Sequence, residues 1–206
     1  MTGFSSPVRV FLFDLGNVLI HFDHMIAARK IADRTGVSVE RLYDQFFGSD
    51  LLIRHDAGKI SVREFYEGVR ERLQFDIDEP TFFKMWNDIF APNEKMFALA
   101  RRILSRFPAY IISNTNRSHF EHCALKFPVL REFTGWILSY EVRALKPDPK
   151  IYEAALKRAG TRPEESFYID DRSDLIAAAR KLGFPAHRFV GYDDLVKRLK
   201  SEKLLT

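Results

Sequence analysis

Short apolar runs that do not alternate, each halting at a polar residue, constrain this chain more than any other feature. Val8 to Phe13 is rich in β-formers and stops at Asp14, with Gly16 two residues on. Ala109 to Ile112 is entered from Pro108 and ends at Ser113 and Asn114. Trp136 to Leu138 and Phe167 to Ile169 repeat the pattern, ahead of Ser139 and Asp170, and Arg188 to Val190 is a further strand candidate. A strand with one wet face alternates polar and apolar residues, whereas a strand covered on both faces has no need to. Helical patterns separate the runs. Asn93 can cap a helix reaching Arg106, with Met96, Phe97, Ala100, Ile103 and Leu104 along one side. Residues 149–159 and 173–182 form two more, followed by Gly160 and Gly183 where a left-handed cap residue belongs. This alternation predicts an α/β fold with a mainly parallel sheet.

The stretch from 20 to 92 has a different character, with several amphipathic helical patterns and no convincing strand. Ser61 to Glu64 matches a capping box leading into Phe65, Val69 and Leu73. The expected layout is a core from residues 1–19 and 93–206, with 20–92 as a helical insertion between the first and second strands.

Composition removes whole classes of function. The 32 Lys and Arg against 28 Asp and Glu leave a net charge of +4, spread along the chain. The densest basic stretch, Lys197 to Lys203, is interrupted by Glu202 and reads as a solvated helix face, so no nucleic-acid footprint is expected. Cys123 is the only cysteine, which excludes an internal disulfide and a cysteine metal cluster. Met1 to Pro7 lacks the charged-then-apolar profile of a signal peptide, and no window is long and apolar enough for a membrane span. The expectation is a cytoplasmic protein with no membrane partner. The pattern carries no sign of an oligomeric state.

Chemistry collects at four places. Asp14 follows a buried strand directly, at the edge of the sheet where open α/β folds place ligands, and Gly16 permits a tight turn and close ligand approach. Ser113 and Asn114 supply neutral donors at another strand end. Lys146 sits beside Pro147-Asp148-Pro149, whose two prolines stiffen a loop entering a helix. Asp170 and Asp171 stand together at a strand terminus; adjacent carboxylates repel unless a cation is near, and oxygen donors without His or Cys suit Mg²⁺. Each feature has a plainer reading: Asp14 as a turn cap, Ser113 and Asn114 as turn residues, Lys146 as a solvated lysine, and Asp170, Asp174 or Ser173 as a helix cap. Taken in order, they supply the parts that phosphoryl transfer requires: a nucleophile, neutral donors, a cation and a metal-binding pair.

Phe11-Leu12-Phe13-Asp14, Ser113-Asn114, Lys146-Pro147-Asp148-Pro149 and Asp170-Asp171 resemble, in order, the four motifs of the haloacid dehalogenase-like hydrolases. The resemblance covers nearly the whole chain, with residues 20–92 in the position of the helical cap inserted after the first motif. Asp-Leu-Gly-Asn-Val at 14–18 and Ser-Asn-Thr-Asn-Arg at 113–117 resemble a subgroup that includes bacterial sugar-1-phosphate phosphatases. The resemblance implies a Rossmann-like core with its first strand central and the cap closing over the carboxyl edge. It further implies a Mg²⁺-dependent phosphatase acting on a small phosphorylated metabolite. Asp14 would form an aspartyl-phosphate; Asp14, the Gly16 carbonyl, Asp170 and Asp171 would hold the metal; Ser113, Asn114 and Lys146 would receive the phosphoryl oxygens.

Two positions depart from the family pattern. A second Asp, serving as general acid and base, usually stands two residues after the nucleophile, where this chain has Gly16. An acidic or amide residue often stands five positions after the first motif-four Asp, where this chain has Leu175, with Asp174 as a partial substitute. His21 and Asp23 are the nearest candidates for a replacement proton donor. The departures leave two alternatives: a metal-independent 2-haloacid dehalogenase, which also lacks the second Asp, and a degenerate binding protein of the same fold. The Asp170-Asp171 pair separates the first alternative from a phosphatase.

Overall fold

The computed structural model describes residues 8–46 and 49–205; Met1 to Pro7, read above for a signal peptide, lie outside the described residues. The strands, in chain order, are β1 (Val10–Phe13), β2 (Ile20–Phe22), β3 (Phe90–Pro92), β4 (Ala109–Ser113), β5 (Gly135–Leu138), β6 (Ser166–Asp170) and β7 (Ala186–Arg188). Five of them form one sheet in the order β5-β4-β1-β6-β7, every neighbouring pair parallel. The central strand is therefore β1, and the chain builds outward to β5 on one side before crossing to β6 and β7 on the other.

Burial on both faces explains the unalternating strands. Phe11 and Phe13 point into one core, against helices α6 (Glu94–Leu104), α7 (Arg117–Lys126) and α11 (Tyr192–Ser201). Val10 and Leu12 point into the other, against α9 (Pro149–Ala159) and α10 (Ser173–Lys181). Period-two geometry sends successive residues of β1 into two different cores, so both must be apolar. Asn93 caps α6 by accepting from the Met96 amide, and Gly160 closes α9 in the left-handed conformation. The helix from 93 ends at Leu104 rather than Arg106, and the one from 173 ends at Lys181, with Gly183 at φ +92°.

Between β2 and β3 lie α1 (His24–Thr35), α2 (Val39–Phe46), α3 (Asp50–Asp56), α4 (Val62–Leu73) and α5 (Glu79–Asn87). They gather around their own apolar cluster, in which Ile31, Phe65, Phe82 and Trp86 are almost wholly buried. The expected capping box is present at Ser61 and Glu64. A short helix, α8 (Ser139–Val142), follows β5.

Two expectations need correction. The 20–92 stretch is not strand-free: β2 and β3, at its two ends, pair antiparallel in register Ile20↔Pro92 to Phe22↔Phe90. Three-residue strands whose partners lie seventy positions apart have no periodicity to betray them. The last sheet strand is Ala186–Arg188 and not Arg188–Val190; Val190 is 66% exposed beyond the sheet edge. Its β-branched side chain reflects a surface position there.

Candidate active site

Register assembles the site. Phe13 pairs with Ile169 of β6 and Ile111 of β4, so the next residues, Asp14 and Asp170, emerge side by side, with Ser113 close behind on β4. Lys146 arrives from the loop between α8 and α9. Its Nζ donates to Asp14 Oδ1 at 2.8 Å, to Asp170 Oδ2 at 2.7 Å and to the Ile112 carbonyl at 3.1 Å, so all three ammonium protons have acceptors. Asn114 fixes the loop from both sides: its Nδ2 donates to the Lys146 carbonyl at 3.0 Å, and its Oδ1 accepts the Lys146 amide at 2.7 Å. Asp148 caps α9 through the Lys150 amide, which accounts for the stiff Pro-Asp-Pro entry.

The electrostatics follow from burial. Asp14 is 9% exposed, and Asp170 and Lys146 are buried. Burial pushes the Asp14 carboxyl up to about 7 against the pull of Lys146, and the neighbouring Asp170 adds to the rise. Burial would lower Lys146, but its two carboxylate partners outweigh that and hold it above its ordinary value as an ammonium. Asp170 has further partners: Oδ2 also accepts from the Tyr168 hydroxyl, and Oδ1 from the Arg172 amide at 2.9 Å, which leaves Oδ1 a second lone pair.

Asp14, Asp170 and Asp171 each offer a carboxylate oxygen, all within 4.8 Å of one another. An all-oxygen donor set at this spacing fits a hard divalent cation. The Gly16 backbone fits as well. Hydrogen bonds from Asn17 N to Ile20 O and from Ile20 N to Leu15 O flank Gly16, and among the described residues none reaches its own carbonyl oxygen. Asn17, at φ +55°, turns this loop and donates to Asp171 Oδ2 at 3.3 Å. Asp174 does not join the cluster; it pairs with Arg172 at 2.7 Å on the surface, while Leu175 is buried. Neither Asp174 nor Ser173 caps α10, whose N-cap is Arg172 without a side-chain bond.

A small cleft of about 80 Å³ opens beside these groups. Leu15, Gly16, Ser113 and Asn114 line it from the sheet edge and its loops, together with Phe22, Leu52, Asp56 and Phe90. Ser113 Oγ makes only a 3.5 Å contact with the Asn114 carbonyl, so its proton is available to a ligand. A Cβ added at Gly16 would lie 2.6 Å from the Phe22 ring. Because β2 alternates, Ile20 and Phe22 line the cleft while His21 is exposed on the opposite side, and Asp23 is spent capping α1 through the Met25 amide. Asp56, Asn116, Tyr168 and Phe22 were not among the expected site residues. Asn116 Nδ2 donates to Asp56 Oδ1 at 3.0 Å, and Ser139 Oγ donates to the Asp56 carbonyl at 2.6 Å while accepting the Thr115 amide at 2.9 Å. Asn116, within Ser-Asn-Thr-Asn-Arg, was legible as polar; its partner across sixty residues was not.

A parallel sheet that gathers a carboxylate, a buried lysine and a further carboxylate pair at its carboxyl edge defines an enzyme suited to anionic substrates. The chain belongs to the haloacid dehalogenase-like hydrolases, whose family profile matches residues 8–183. It is 23% identical over 186 residues to a D-ribitol-5-phosphate phosphatase of Bacteroides thetaiotaomicron, covering 86% of this chain and 89% of that one. It superimposes on a HAD family enzyme from the same organism, crystallised with magnesium and inorganic phosphate, with a TM-score of 0.80 and 26% identity over 88% of this chain and 93% of that one. L-2-haloacid dehalogenase from Xanthobacter autotrophicus shares the fold at a TM-score of 0.66, with 17% identity over 97% of this chain and 85% of that one. No helix among the described residues is long and apolar enough to cross a membrane.

Proposed function

We propose that the chain is a Mg²⁺-dependent phosphatase of small phosphate esters, with a sugar or polyol phosphate as the substrate class. The observation that carries this reading is the trio of carboxylates Asp14, Asp170 and Asp171 gathered beside the buried ammonium of Lys146. Asp14, the Gly16 carbonyl and Asp171 would hold the metal, with Asp170 behind them. Bound there, Mg²⁺ would supply the positive charge that lets two anions, nucleophile and phosphate, approach. Asp14 attacks phosphorus and carries the phosphoryl group as an aspartyl-phosphate, which water then cleaves. Lys146 keeps Asp14 and Asp170 aligned and offsets their charge. Ser113 offers its hydroxyl to a phosphoryl oxygen. Asn114, with its amide engaged by the Lys146 backbone, acts by holding that loop in place.

The dehalogenase reading is weaker on charge grounds. A 2-haloacid is itself an anion, and two extra carboxylates next to the nucleophile would repel it without a metal to offset them. The degenerate-protein reading has Gly16 in its favour and the intact Asp14–Lys146–Asp170 network against it. The test is a panel of phosphate esters and 2-haloacids with and without Mg²⁺, using Asp14→Asn as control. Mg²⁺-dependent phosphate release that vanishes in Asp14→Asn is the expected result. Halide release in excess chelator would overturn the reading.

A further inference from the structure

A phosphatase of this design needs a proton for the departing oxygen, and Gly16 cannot supply one. The Phe22 ring occupies the space a side chain at that position would need. The two nearest candidates in the sequence are turned to other uses, His21 to solvent and Asp23 to the end of α1. Resting on the phosphatase reading, we propose that Asp56, delivered by the helical insertion from the end of α3, is the general acid that protonates the leaving group.

Asp56 lines the same cleft as Gly16 and Ser113. One carboxyl oxygen is anchored by Asn116 at 3.0 Å, and the backbone is held by Ser139 at 2.6 Å. Among the described residues no hydrogen bond reaches the other oxygen, Oδ2, which leaves it for the cleft. Burial pushes this carboxyl up to about 6, against the lowering effect of the Asn116 bond, which brings it into the range where a carboxyl can both give and take a proton near neutral pH. A general acid works best near the operating pH. The cleft's two histidines are driven the other way by burial, His24 down to about 4 and His119 well below its ordinary value, which favours their neutral forms.

The step balances. Asp14 forms a bond to phosphorus as the bond from phosphorus to the ester oxygen breaks, and that oxygen takes the Asp56 proton and leaves as an alcohol. In the second half, the Asp56 carboxylate takes a proton from the water that attacks the aspartyl-phosphate. The bond between phosphorus and the Asp14 oxygen breaks, and inorganic phosphate departs with both carboxyl groups restored to their starting states.

Rapid-quench phosphorylation rates across matched aryl and alkyl phosphate esters test the assignment, in wild type and in Asp56→Asn, which keeps an acceptor for Asn116. An aryl leaving group is stable as an anion and has little need of a proton; an alkoxide has great need. Asp56→Asn should lower the alkyl rate by about 10² to 10⁴-fold and the aryl rate by less than about tenfold. Phosphoenzyme should accumulate from the aryl ester as the base for hydrolysis is lost, visible as one added phosphoryl group in intact mass. Equal losses for both ester classes, or none for either, would overturn the role of Asp56, as would a steep leaving-group dependence already present in the wild type. Where Asp14→Asn still abolishes Mg²⁺-dependent aryl turnover, the phosphatase reading survives that failure. A wild type that hydrolyses neither class overturns both.

Discussion

Replacing Lys146 by methionine keeps most of the stem and deletes one buried charge. The Lys146 side chain is 1% exposed, with Asp14 at 2.8 Å and Asp170 at 2.7 Å; the side chains of those two are 12% and 0% exposed. Without the ammonium, two adjacent carboxylates face each other away from water, and the Ile112 carbonyl loses its donor. Deleting one partner of a buried pair costs about 3–5 kcal/mol, because the remaining charge is left uncompensated. That is a large part of the 5–15 kcal/mol that typically holds a domain folded. Urea unfolding should be followed at neutral pH in a chelator, so that no divalent cation takes the place of the ammonium. The expected loss is about 3–5 kcal/mol, accompanied by a fall in Mg²⁺-dependent turnover of about 10²–10³-fold. Ser113→Ala should leave stability nearly unchanged and reduce turnover less, since a charged hydrogen bond is about twice as strong as a neutral one. If Lys146→Met unfolds within about 1 kcal/mol of wild type, the ammonium is not the charge that holds these carboxylates together.

Three further perturbations probe the metal donors, the helical insertion and its docking. Asp171→Ala should raise the Mg²⁺ concentration needed for half-maximal turnover by at least about tenfold, measured by titrating Mg²⁺ into chelated enzyme; an unchanged requirement would remove Asp171 from the donor set. Burial holds His55 down at about 4, below its ordinary 6.5, so the folded chain binds fewer protons between those values; the stability it contributes is complete above pH 6.5 and is lost as pH falls toward 4. From pH 7 to 5 this amounts to about 2 kcal/mol, and because the raised Asp14 and Asp56 shift the wild-type curve the opposite way, the informative quantity is the wild-type minus His55→Leu difference, which should change by that amount in urea; a pH-independent difference contradicts it. Gly58, at φ +62°, would bring a Cβ within 2.1 Å of the Tyr140 carbonyl, whereas Gly36, at φ +72°, meets nothing; Gly36→Ala should lose about 1 kcal/mol and Gly58→Ala clearly more, by thermal unfolding.

Local chemistry made the sheet legible. Burial on both faces forces Val10, Phe11, Leu12 and Phe13 all to be apolar, and a strand must end where Asp14 begins. The same reasoning reaches Asp170 and Ser113, because each closes a strand of its own. It fails where meaning depends on a distant partner. Ile20 to Phe22 becomes a strand only against Phe90 to Pro92. Asp56 reads as one more acidic residue late in a helix until the insertion folds back and Asn116 meets it. Asn114 resembled a ligand donor and turns out to brace Lys146, a use that depends on a loop thirty-two residues away. Val190 misled for the opposite reason: a β-branched residue on the surface looks the same in sequence as one in a strand.

The close approach of Phe22 to Gly16 has an evolutionary reading. An aspartate introduced at position 16 alone would collide with a ring 2.6 Å from its Cβ, and that ring is held between His24 and Phe90. Removing the ring alone would open a hole in the cleft wall and add no acid. Each single substitution therefore passes through a worse enzyme than either end point, so a lineage that has exchanged an aspartate at 16 for a ring at 22 is held on its side of a fitness valley. Related chains should accordingly carry both residues of one arrangement or both of the other, and seldom a mixture.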